Sequence, residues 1–360
     1  MRNLIKAALV ALVLSLSVAA PVVAPSVLAG SSEQMQFRGL PPPQPIEIFG
    51  NAWTIFADGV IDADADARFK QFILEKHIPS KSMLVLNSPG GSVIGGMKLG
   101  RAIREAGLET YVGRDSGDTA KEFRAGECYS ACTLAFLGGE YRYIPEASIY
   151  GVHRFYFTTK SDQDTDAAQI LSASIVQYIR DMDVDPELFS EMTTAGEKQI
   201  ITIPHDELAR LNVINNGVKK TYWTIESIDA GIYLKGERET SYGNNKFILL
   251  CNPNGPVELV TIFDPEGRGD EVIKMTAISL FIDGKDIPIA EHLLRSPSLV
   301  NGWINVAFSL DDRLVSIIQR AKTVGVSFQH SYSSPSFLGF EGMDFRDGAK
   351  KLPGFLRACH

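Results

Sequence analysis

The chain has no basic surplus. Its 35 Lys and Arg stand against 43 Asp and Glu, a formal net charge of −8, and no long run of Lys and Arg occurs anywhere. Capture of a polyphosphate backbone needs a basic footprint, so no nucleic-acid partner is expected. No low-complexity tract or short-period repeat stands out, and past residue 29 no stretch is long and apolar enough to span a bilayer. His77, His205, His292, His330 and His360 share no metal-ligand spacing. Asp162, Asp164 and Asp166 read as the dipole-matched start of a helix rather than a cation site. No metal or cofactor is expected. Cysteine is scarce at four residues, Cys128, Cys132, Cys251 and Cys359.

What is present is enough chain for two globular domains, 360 residues with 45% hydrophobic content. The first 29 residues form a separate object. Arg2 and Lys6 give a positive start, Ala7 to Ala20 is apolar, and Val27-Leu28-Ala29 ends the segment with small residues. That pattern predicts a secretory signal peptide cleaved after Ala29, and hence an exported protein, periplasmic or secreted, with no membrane span left; an uncleaved membrane anchor is the alternative, disfavoured by a short apolar stretch broken by Pro21 and Pro25. An oxidising compartment allows disulfides. Four cysteines permit three pairings, of which Cys128 with Cys132 and Cys251 with Cys359 is the simplest; buried free thiols are the alternative.

Residues 30–51, with Pro41-Pro42-Pro43, read as an extended linker. Residues 52–56, 83–86, 109–112 and 147–152 read as strands, and 64–76, 93–107 and 130–137 as helices between them. That rhythm predicts β-α-β units and an α/β, mostly parallel core over residues 52–217. A long amphipathic helix is expected over 162–182, a short strand over 199–203 and a helix from Pro204 to about Asn212. Asn215-Asn216-Gly217 breaks the pattern and marks the domain boundary. Residues 218–360 alternate as strands between turn signals and predict a smaller α+β, antiparallel-rich domain, ending in an amphipathic helix interrupted by Pro353. No catalytic constellation stands out in that second half.

The chemistry gathers between Asn87 and Arg154. Ser130 starts an apolar helix, Gly90-Gly91 follows a strand and His153 follows another. A serine attacking an amide needs a base and donors for the oxyanion. Ser130 is the candidate nucleophile and His153 the candidate base. The amides of Gly91 and Ala131 are the natural donors, because glycine permits close backbone approach and a helix N-terminus favours negative charge.

Asn87-Ser88-Pro89-Gly90-Gly91-Ser92-Val93, with Gly96-Met97, resembles the glycine turn of the Clp-type serine proteases, whose superfamily also holds crotonases and signal-peptide peptidases. Ser130 and His153 fall where that family has its serine and histidine. Residues 162–182 resemble its handle helix, and Pro204-His205-Asp206-Glu207-Leu208-Ala209 its closing helix. The resemblance covers residues 52–217 and implies an ATP-independent serine peptidase. In it Ser130 and His153 would be catalytic, Gly90, Gly91 and Ala131 would form the oxyanion and substrate site, and homo-oligomers would assemble through the handle helix. The same turn would pair with a peptide substrate as an added strand. The family's aspartate does not carry over: this chain reads Glu197-Lys198-Gln199 there, so Glu197 or Gln199 would orient His153, or a Ser–His dyad would act. Residues 113–127 are an insertion relative to the family. The alternatives are a non-catalytic peptide-binding or assembly protein on the same fold, and crotonase-like chemistry on a coenzyme A thioester, to which an exported protein has little access.

Overall fold

The computed structural model describes residues 33–42, 51–117, 123–155, 164–194, 196, 199–228, 231–252, 255–334 and 337–359. The expected signal segment lies outside the described residues. The first half contains β1 (Gln36–Leu40), β2 (Thr54–Asp58), α1 (Ala65–Lys76), β3 (Met83–Asn87), α2 (Val93–Glu105), β4 (Glu109–Val112), β5 (Glu127–Tyr129), α3 (Ala131–Phe136), β6 (Arg142–Tyr143), β7 (Ile149–Val152), α4 (Asp164–Asp181), α5 (Glu187–Thr194), β8 (Ile201–Thr202) and α6 (His205–Arg210). Strands β1, β2, β3, β4 and β6 form one sheet in that order, and β5, β7 and β8 a second. The pairs β2/β3, β3/β4, β4/β6 and β5/β7 are parallel, whereas β1/β2 and β7/β8 are antiparallel. Continuous apolar strands suit this setting: Leu84, Val85 and Leu86 of β3 are all buried.

The second half is antiparallel throughout. It contains β9 (Tyr222–Ile228), β10 (Gly231–Thr240), β11 (Gly243–Leu250), β12 (Glu258–Phe263), α7 (Gly269–Val272), β13 (Ala277–Ile282), β14 (Lys285–Pro288), β15 (Ser298–Val300), β16 (Trp303–Ser309), α8 (Asp312–Gln319), β17 (Thr323–Gln329), β18 (Leu338–Asp344) and α9 (Arg346–Cys359). Its sheets run β15-β16-β12-β11-β10-β9 and β14-β13-β17-β18. The protein is thus mixed α/β, with a mixed-sheet first half and an antiparallel second half. One hydrophobic core gathers residues from Met35 to Ile214 and another from Trp223 to Cys359, both inside one compact unit, Gln34–His360.

Two expectations are corrected here. Part of the predicted linker is a strand: β1 pairs with β2, Met35 is buried and Phe37 packs on the first core. Its alternation is short and directly precedes a proline run, which hides it. The last helix is continuous through Pro353, because Leu352, Phe355 and Cys359 stay buried on one stripe while the proline removes only a single donor.

Disulfides join Cys128 to Cys132 and Cys251 to Cys359, across sequence separations of 4 and 108. Loop-closure entropy makes the longer bridge the larger contributor to global stability, about 5 against about 2 kcal/mol. Both are compatible with export, and no helix among the described residues is long and apolar enough to cross a membrane. At the junction of the two cores Lys219 reaches Glu140 (2.6 Å) and Glu239 (2.5 Å).

Glu109, at the start of β4, is pushed up to about 7 by burial, with Glu140 adding to the rise and Lys81 opposing it. Folding therefore favours its protonated form. That stability is complete below about pH 4.5 and is lost as pH rises to about 7. Glu109→Gln is expected to raise stability at pH 8 by about 1 kcal/mol, a figure discounted for the solvent that still reaches the carboxyl, and the gain should disappear at pH 4. Urea midpoints at the two pH values check this.

Candidate functional site

The site is built on a short helix of the first half. Helix α3 has six residues, all buried, and follows β5 through Ser130 alone. The carbonyls of Leu134, Ala135 and Phe136 accept from the amides of Leu137, Gly138 and Gly139. Side chains from other elements add donors at and past this end of the helix. Tyr150 Oη donates to Thr133 O (3.3 Å), Tyr178 Oη to Leu134 O (2.7 Å) and Thr110 Oγ1 to Phe136 O (2.9 Å). Arg104 donates to the carbonyls of Leu137, Gly138 and Gly139 at 2.9–3.1 Å.

Arg142 completes the set. It is fully buried and donates to Gly139 O (2.9 Å), Met182 O (3.3 Å), Asn212 O (2.7 Å) and Val213 O (2.8 Å). These carbonyls lie at or just past the C-termini of α3, α4 and α6, so the negative ends of three helices converge on one guanidinium. Burial lowers the Arg142 pKa to about 10, with Arg104 adding to the fall, and leaves it charged at neutral pH.

At its other end α3 meets the glycine turn. The Ser130 backbone adopts φ 56° and ψ −122°, a left-handed conformation a serine rarely takes, and its side chain makes no capping bond to the helix. Such a strained strand-to-helix turn presents a side chain outward from the end of a sheet. The turn is pinned on both sides: Ser130 N–H donates to Gly151 O (3.0 Å), and Tyr129 N–H to Ser88 O (3.0 Å). A Cβ on Gly90 would lie 2.7 Å from Ser130 Cβ and 2.6 Å from Tyr129 O, so no side chain fits there. One on Gly96 of α2 would meet Ala131 O at 2.4 Å. The close approach of α2 to α3 requires both glycines.

The amides of Gly91 and Ala131 donate to no acceptor among the described residues. Gly91 is exposed and held by its neighbours: Ile61 N–H donates to Gly90 O (2.8 Å), and Ser92 N–H to Ile61 O (2.7 Å). The Ser92 side chain then caps α2 by accepting from Gly95 N–H (3.1 Å).

His153 follows β7, whose parallel register with β5 sets Tyr129 opposite Gly151. Ser130 and His153 therefore leave neighbouring strands one residue out of step, within a strand spacing of about 4.8 Å and a rise of about 3.3 Å. Their side chains form no hydrogen bond to each other. The half-buried imidazole has its Nδ1 2.8 Å from Arg154 O. A carbonyl only accepts, so Nδ1 is the donor in this contact, and in a neutral imidazole Nε2 is then the acceptor. Arg154 is anchored through its guanidinium to Thr193 O (2.9 Å), at the end of α5. Gln199 is exposed and makes no hydrogen bond to His153, whereas Glu197 lies outside the described residues.

The structure brings Ser130, Gly90, Gly91, Ala131 and His153 to one edge, with Cys128 and Cys132 buried beneath it. Sequence reasoning missed Thr110, Arg104 and Arg142, which donate to carbonyls distant in sequence and carry no local motif. The arrangement offers a hydroxyl, an imidazole and two unused amides, the groups that acyl transfer requires. Compared with protein-family models and with curated proteins, the chain matches none.

Arg142→Met would remove a donor from four carbonyls, of which Gly139 O keeps another from Arg104. The variant is expected to lose about 3 kcal/mol or more of stability, read as a lower urea midpoint.

Proposed function

We propose that the protein is an exported serine hydrolase that cleaves peptide bonds without ATP or metal, on a core of the Clp-protease and crotonase kind. The observation that carries this reading is the left-handed Ser130 at a strand-to-helix junction, beside the unused amides of Gly91 and Ala131. In the reaction, Ser130 Oγ attacks the scissile carbonyl and His153 Nε2 takes the hydroxyl proton. The tetrahedral oxyanion accepts from Gly91 N–H and Ala131 N–H, already fixed before substrate arrives. His153 returns the proton to the leaving amine, and a water deprotonated by the same nitrogen releases the acyl group. The exposed Gly91 segment would pair with the substrate backbone as an added strand. Assembly into homo-oligomers through α4 belongs to the same proposal.

A second reading, a peptide-binding protein without catalysis, is favoured by one observation. The side chains of Ser130 and His153 form no hydrogen bond to each other, whereas a serine poised for attack lies within hydrogen-bond reach of its base. A fluorophosphonate probe separates the two. Wild-type protein is expected to label at Ser130, Ser130→Ala to remain unlabelled, and His153→Ala to label slower by about 10²–10⁴-fold. Equal labelling of all three proteins, or none of any, would end the catalytic reading.

A further inference from the structure

The Cys128–Cys132 bridge spans Ser130 and Ala131, and it ties together two elements that are otherwise separately anchored. Cys128 lies in β5, bridged to Ser88 of the glycine turn through Ser88 N–H to Glu127 O (2.8 Å) and Tyr129 N–H to Ser88 O (3.0 Å). Cys132 lies in the first turn of α3, whose far end is fixed by Thr110, Arg104, Arg142 and Tyr178. Both cysteines are 0% exposed. A non-glycine residue at positive φ relaxes unless its surroundings over-determine it. Within residues 128 to 132 hydrogen bonds hold Tyr129 and Ser130 to Ser88 and Gly151, and the bridge adds a covalent tie across the same turn. A ring this short contributes little to global stability, since the entropic gain grows with loop length. Its effect is local.

We infer that Cys128 and Cys132 are positioning residues for Ser130: their bridge holds the serine backbone in the left-handed turn that aims Oγ, and keeps the Ala131 amide facing the same point as that of Gly91. This rests on the nucleophile reading of Ser130. A protein with the bridge open keeps its fold and its substrate groove but loses the alignment of hydroxyl and oxyanion donors. The long bridge, Cys251–Cys359, lies in the other core and supplies the control.

The test is the saturation kinetics of fluorophosphonate labelling at Ser130, with thermal midpoints measured on the same samples. Cys128→Ala/Cys132→Ala is expected to lower the limiting labelling rate by about tenfold or more, with the half-saturating probe concentration unchanged. Cys251→Ala/Cys359→Ala is expected to lower the thermal midpoint further, yet label within about twofold of wild type. If the first double variant does not fold, wild-type protein is partly reduced with dithiothreitol. The species with only the short bridge open, identified by mass spectrometry, then takes its place with the same expected loss. A folded, bridge-free protein labelling at the wild-type limiting rate would overturn the inference while leaving Ser130 as nucleophile. Failure of oxidised wild-type protein to label at all would overturn both.

Discussion

Everything at the candidate site depends on how the carbonyl end of α3 is satisfied. A six-residue helix has a short hydrogen-bond ladder, closed by the amides of Leu137, Gly138 and Gly139, and its burial excludes water from the acceptors left over. Donors from Thr110, Arg104, Arg142, Tyr150 and Tyr178 complete it, from β4, α2, β6, β7 and α4. With its far end held by five elements, the helix cannot shift, and its N-terminal amides stand at a fixed place. Preorganised donors are what make such a terminus useful to a developing oxyanion. Arg142, buried with no carboxylate ion pair, would otherwise carry a severe desolvation cost; helix C-termini offset it.

The glycines set how closely the parts approach. Gly96 and Gly100 on α2 lie one turn apart. A Cβ at Gly100 would meet Tyr178 Oη at 1.8 Å, and one at Gly138 would meet Gly100 O at 2.1 Å. Helices α2 and α3 therefore touch backbone to backbone, which brings the glycine turn and Ser130 to the same edge. Gly151 does the same on the outer face of β7, where Tyr129 and Ile200 cover the space a side chain would take. The inner face, Cys128, Tyr150 and Val152, is buried in the first core. Alternation along β5 and β7 thus separates what builds the core from what lies on the opposite face.

Much of this was legible in the residue pattern. The strands at 83–87 and 109–112, and the helices at 65–76 and 93–105, follow from apolar runs and periodicity. The two cysteine pairings match the simplest of the three choices. Where the pattern failed, the reason is physical. Strand β1 is short and its alternation faces only one side. Strand β18 contains Gly339 and Gly342, both at positive φ, which weaken the β signal that its apolar positions carry. The roles of Arg104 and Arg142 were invisible because both donate to backbone carbonyls, which leave no trace in side-chain composition. His153 was legible as a histidine after a strand. Its support by Arg154 O was not, since any residue supplies a carbonyl.

The central claim is that Ser130 Oγ and the amides of Gly91 and Ala131 converge on one point. The most direct measurement is a crystal structure of wild-type protein after reaction with a fluorophosphonate. The account predicts phosphorus bonded to Ser130 Oγ, its phosphoryl oxygen within hydrogen-bond distance of both amides, and the Ser130 φ still positive. An adduct on another residue, or a phosphoryl oxygen turned away from both amides, would contradict it.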